Sequence, residues 1–299
     1  MFKVYFVAII LFFLSCKNNS FESVVESNIS TLQEEYNKTK ADSSFNKLVQ
    51  AYGQSIVETK DKKKKEILLN HAISLCNAPE KTNLKEIFST ELIKLNPNVN
   101  SANDIIWNLA QSMLVRGKSE VASILFKGFN DKFPSDPRSK DAEKFILAEQ
   151  KDIHAYIKSL AEGVFENPGT NGLNDENTQK YIDVCESFAL VYSADKMAAE
   201  YLFRAAEMSR AISGFSKMMS LYDWIYQYFP DYKKAPLALF LKGFAMDSEF
   251  KQPAEAKKIY DQFLSEFPND SLAKDVTFLL KNLGKSDEEI LKEIEKSQK

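Results

Sequence analysis

A chain of 299 residues that is 44% hydrophobic and 27% charged has the composition of a folded protein with one or two cores, which excludes disorder throughout. Its 39 Lys and Arg nearly balance 42 Asp and Glu, so the net charge of −3 provides no bulk field to draw nucleic acid. Nine glycines and nine prolines are few for the tight turns of an all-β chain, and an all-α fold is expected.

The first element is apolar. Met1 to Ser15 carries one basic residue, Lys3, ahead of the unbroken apolar stretch from Val4 to Leu14. That stretch has the length of a signal-peptide core and falls short of the ~20 residues that cross a bilayer as a helix. Ser15 places a small residue before Cys16, and Lys17, Asn18, Asn19 and Ser20 are polar. The segment resembles a bacterial lipoprotein signal, which implies cleavage after residue 15 and acyl chains, palmitate among them, on Cys16. An ordinary secretory signal with an incidental cysteine is the alternative. Two or three chains at ~0.8 kcal/mol per buried CH₂ anchor a protein stably, whereas one is marginal. The same resemblance implies the periplasmic face of the outer membrane. Lys17 stands where Asp is the signal for inner-membrane retention, and no acid precedes Glu22 to form the tract that accompanies export to the cell surface.

Residues 16–42 are then expected to form a lipidated tether, followed by helices at about 44–59, 64–77, 83–95, 102–115, 118–132, 138–151, 153–166, 177–192, 195–212, 214–229, 234–249, 253–267 and 271–283. The run "KDKKKKE", Lys60 to Glu66, reads as a solvated helix start more readily than as a contact for anionic lipid. Two blocks are expected, 43–166 and 177–299. They are joined by a linker at 167–176, within "ENPGTNGLNDEN", which is dense in Pro, Gly, Asn and Asp.

Prolines at 97, 134, 168, 230 and 268 recur at close to one interval or its double. Upstream of four of them, at identical offsets, lie Ala122, Phe126 and Phe129; Tyr156, Leu160 and Gly163; Met218, Tyr222 and Ile225; and Ala256, Tyr260 and Phe263. Steps of four and three keep such residues on one helical face, and the proline ends the helix because it lacks an amide donor. The stretch from Lys196 also overlays the stretch from Lys234 without a gap, with Ala205 or Gly243 as the small residue of the first helix. This pattern resembles the tetratricopeptide repeat (TPR), specifically over Lys196 to Leu283 and well over Ser101 to Pro168. The resemblance implies a superhelical α-solenoid of TPR-like helical hairpins. Ser286 and Glu289 form a capping box ahead of Ile290, Leu291 and Ile294, which predicts a C-terminal capping helix.

No catalytic or metal constellation is legible. His71 and Cys76 are five apart, about 140° around a helix, so they do not share one zinc ion readily. Neither a phosphate-cradling glycine loop nor a Gly-x-Ser-x-Gly elbow is present, no cofactor is implied and the chain is not expected to be an enzyme. Cys76 and Cys185 lie in apolar patterns and read as small buried hydrophobes, although their pairing stays open in an oxidising compartment. The helix "SLYDWIYQYF" is apolar on two sides. Burial between neighbours is the favoured reading, and Trp224 and Tyr228 are the candidate partner-binding residues if it is instead exposed.

A lipid anchor with such repeats resembles the tetratricopeptide lipoproteins of Gram-negative envelopes, including the lipoprotein partner of the outer-membrane barrel-assembly machinery. The resemblance implies an adaptor or scaffold for other envelope proteins. The alternative is a lipoprotein that captures a peptide, glycan or peptidoglycan fragment in its groove.

Overall fold

The computed structural model describes residues 20–285 and 288–289. Cys16, the expected lipidation site, and the apolar stripe of the expected capping helix lie outside them. The described residues hold fourteen α-helices and no strand, in two compact units divided between Val99 and Asn100. The fold is an all-α, TPR-like solenoid of successive helical hairpins.

The first unit contains α1 (Ser20–Thr39), α2 (Asp42–Glu58), α3 (Lys62–Leu75) and α4 (Thr82–Leu95), each packed on the next. The tether expected over 16–42 is helical from Ser20, and Tyr36 packs 5.7 Å from Phe45. Aromatic burial thus draws α1 into the unit. Asp61 caps α3 by accepting hydrogen bonds from the Lys63 and Lys64 amides at 2.8 and 3.1 Å. The lysine run is therefore a helix start.

The second unit contains α5 (Ala102–Val115), α6 (Ser119–Lys132), α7 (Ser139–Ala142), α8 (Ile153–Gly163), α9 (Asp175–Val191), α10 (Ala198–Ala211), α11 (Phe215–Tyr228), α12 (Ala235–Ser248), α13 (Pro253–Glu266) and α14 (Ala273–Asn282). In three second helices the residues at the repeating offsets are sealed from solvent. Ala122, Phe126 and Phe129 of α6, Met218, Tyr222 and Ile225 of α11, and Ala256, Tyr260 and Phe263 of α13 are all buried. At ~25 cal/mol per Å² of apolar area, these faces supply much of what holds each hairpin together.

Three sequence readings need correction. Tyr156, Leu160 and Gly163 are only half-buried, and the fourth set at the repeating offsets is Tyr181, Cys185 and Phe188 of α9. Ser193 there takes the place of the proline, so Pro168 is not a repeat marker. The single helix expected over 138–151 is instead α7 followed by two 3₁₀ turns. Contacts with α6 replace its later helical bonds: Leu147 N donates to Ser123 Oγ at 2.8 Å, Gln150 Nε2 donates to Glu120 O at 3.1 Å, and Phe145 stacks on Phe126. Alongside, α6 and α9 meet directly at Gly128, where a Cβ would lie 2.4 Å from Val191 Cγ2. Finally, the overlay without a gap holds for the second helices but not the first. α10 and α12 align one residue closer, with the extra residue in the loop before α13, so Gly243 corresponds to Ala206 and not to Ala205.

Two devices recur that hold hairpin to hairpin. At the turns, Asp136, Asp195 and Asp270 each accept a hydrogen bond from the amide two residues on, at 3.0, 2.7 and 2.9 Å. This side-chain turn satisfies an amide ahead of the next helix. On the first helices, an acid stands three residues before an aromatic, and a later cation serves both. Lys81 pairs with Asp42 over Phe45, Arg138 with Asp104 over Trp107, and Lys234 with Glu200 over Phe203. In α12 the same places hold Leu237, Phe240 and Leu272, an apolar version of the clamp.

Candidate functional site

The irregular part of the repeat array creates a groove. Asp152 caps α8 through the Ala155 amide at 3.0 Å, and Asn174 caps α9 through the Asn177 amide at 3.0 Å. Between them the polar segment 167–176 folds back on itself. Asn174 N donates to Val164 O and Gly169 N to Leu173 O, each at 2.7 Å, and Gly172 takes a φ of +79°. These bonds seat α8 on α9, and α10 also packs on α9.

A cavity of about 490 Å³ opens between α8 and α10. Its floor is apolar, with Ile157 and the rings of Tyr181 and Tyr201 all buried. His154 Nδ1 and the Tyr201 hydroxyl share a hydrogen bond at 2.7 Å, and both rings pack on Phe188, at 5.3 and 5.2 Å. The lining includes Lys158, Lys196 and Arg204 and no carboxylate. Burial raises the Tyr201 hydroxyl above its ordinary value and Tyr181 much further, so both are neutral donors at neutral pH.

The nearby carboxylates sit on the rim. Glu162 is 3.9 Å from Lys158, Asp195 is 3.5 Å from His154 Nε2, and Glu200 is 2.9 Å from Arg204 Nε. Burial pushes the Glu200 carboxyl up, but hydrogen bonds from Tyr232, Arg204 and Lys234 outweigh it and hold the group at about 2.

The residues singled out in the sequence fall elsewhere. Trp224 is 4% exposed and part of the core, so burial is what the structure shows for that side of α11, and Tyr228 is half-buried. Cys76 and Cys185 are free, buried thiols. Burial raises both, Cys185 far above its usual range, which removes thiolate reactivity at neutral pH. His71 packs edge-on to Tyr52. Among the described residues no three His, Cys, Asp or Glu side chains gather to hold a metal ion, and no helix is long and apolar enough to cross a membrane. His154, Lys196, Tyr201 and Arg204 are not legible as a site in the sequence, because α8 and α10 are separated by α9 along the chain and meet only in the fold.

Residues 237–270 match the family model of the tetratricopeptide repeat. The matched repeat is α12 with α13 and the turn after it, and its buried residues Leu239, Ala256, Ile259, Tyr260 and Phe263 form one core with Val276 of α14. Tetratricopeptide repeats generally mediate binding between proteins. The α10–α11 hairpin carries the same buried positions just before the matched repeat, and α5–α6 carries them near the start of the unit. No curated protein matches the chain.

Proposed function

We propose that this chain is an adaptor that binds protein partners through its repeat array while a lipid on Cys16 holds it at the periplasmic face of an outer membrane. The observation that supports partner binding is the open groove between α8 and α10, which has an apolar floor and exposed cations on its walls. An apolar floor beneath polar and charged walls suits a peptide segment of another protein. The anchor rests on the residues around Cys16 alone.

Cross-linking in intact membranes, followed by purification of the full chain, tests the reading. It expects one protein partner in stoichiometric yield. Recovery of none would overturn the adaptor and favour capture of a small ligand.

A further inference from the structure

We infer that the groove between α8 and α10 takes an acidic peptide segment of the partner, with an apolar side chain on the floor and carboxylates on the cationic walls. This names the partner's chemistry for the adaptor reading and rests on it.

The argument is charge complementarity around an apolar seat. Lys196 is exposed and makes no ion pair or hydrogen bond among the described residues, although it lies one residue from Asp195, whose carboxylate is turned to the Met197 amide and His154. Arg204 gives only Nε to Glu200, so both of its Nη atoms remain available to a ligand. Lys158 stands on α8, its side chain 80% exposed, with a carboxylate no nearer than 3.9 Å. Three cations, from α8, from the turn before α10 and from α10, thus surround a floor of Ile157, Tyr181 and Tyr201. A basic segment would be repelled by these cations, and a neutral apolar one would leave Lys196 without a counter-ion, whereas Lys158 and Arg204 already have Glu162 and Glu200 beside them. Carboxylates on either side of an apolar residue satisfy both parts of the site, and a guanidinium with two free nitrogens suits a carboxylate's paired oxygens.

The test is fluorescence anisotropy on the full chain in detergent. The probe is a fluorescein-labelled peptide with a central Leu-Phe pair flanked by Asp and Glu, compared with the same peptide carrying Lys at each acidic place. The acidic probe should bind and the basic one should not, with affinity falling as salt rises. Lys196→Glu should weaken binding at least tenfold without touching the fold, because Lys196 makes no internal bond. Lys257→Glu, whose native side chain pairs with Asp261 at 2.6 Å on α13, should leave binding unchanged. Failure of the acidic probe to bind, equal binding of the basic probe, or insensitivity to Lys196→Glu would each overturn the inference. If cross-linking still recovers a partner, and recovers it equally well with Lys196→Glu, the adaptor stands and this groove is not its site.

Discussion

The Nζ of Lys234 lies 4.6 Å from the centre of the Phe203 ring and, in the same pose, 3.1 Å from a Glu200 oxygen. One cation therefore closes the first helix of a hairpin from outside, joining the turn after α11 to the helix before it. Lys234→Leu should keep the packing on Phe203 and lose the charge, costing about 0.5–1 kcal/mol in urea denaturation, whereas Phe203→Ala should cost about 3–5 kcal/mol. Equal losses would mean that the ring contributes little to the core.

Glu200 gives the clamp a pH signature. Its folded value of about 2 lies below the ordinary 4.5, so the stability it contributes is full above about pH 4.5 and is lost as pH falls toward 2. Glu200→Gln should lower the melting temperature at pH 7 and flatten its dependence between those limits. A variant as acid-sensitive as the native chain would show that other carboxylates set the profile.

Glycines separate close contacts from open ones. A Cβ at Gly243 would lie 2.8 Å from the Tyr260 ring, so Gly243→Leu should overpack the α12–α13 interface by about 1–3 kcal/mol. Gly53 has nothing within 4 Å, and Gly53→Ala should be neutral or stabilise α2 by up to about 1 kcal/mol. Thermal melts followed by circular dichroism compare the two, and an unchanged melt for Gly243→Leu would contradict the packing.

Gly128 offers a paired test. Gly128→Ala should destabilise the α6–α9 contact, and Val191→Gly in the same chain should restore part of the loss, because it removes the Val191 Cβ at 2.5 Å as well as the methyl at 2.4 Å. Strictly additive losses would mean that the two helices yield without cost.

Membrane attachment is tested at Cys16. Labelled palmitate should enter the native chain and not Cys16→Ala, and the variant should leave the membrane fraction or remain unprocessed. Protease added to intact cells should spare the helices. Digestion without permeabilising the outer membrane would place the chain on the surface instead.

The regular hairpins were legible because their buried residues repeat at fixed offsets from an aromatic–proline pair, as with Tyr222, Ile225 and Pro230 or Tyr260, Phe263 and Pro268. Where Ser193 replaces that proline the signal failed, and Pro168 supplied a false one. Over residues 138–151 helical propensity is overridden by bonds to Ser123 and Glu120 in α6, which nothing local in the sequence announces. The groove's residues sit on α8, on α9, in the turn before α10 and on α10, and they spread from His154 to Arg204 along the sequence, so no local pattern joins them.

The contrast between clamped turns and the Gly128–Val191 contact sets where this architecture can grow. Each hairpin from α10 onward begins and ends on equivalent backbone bonds, so a duplicated α10–α11 placed before α12 would find the same turn geometry at both joints. No such slot exists between α6 and α9, whose backbones already approach to within the width of a glycine. Lengthening by whole hairpins is open after α10–α11 and closed at the α6–α9 contact, so added repeats would leave the walls of the groove as they are.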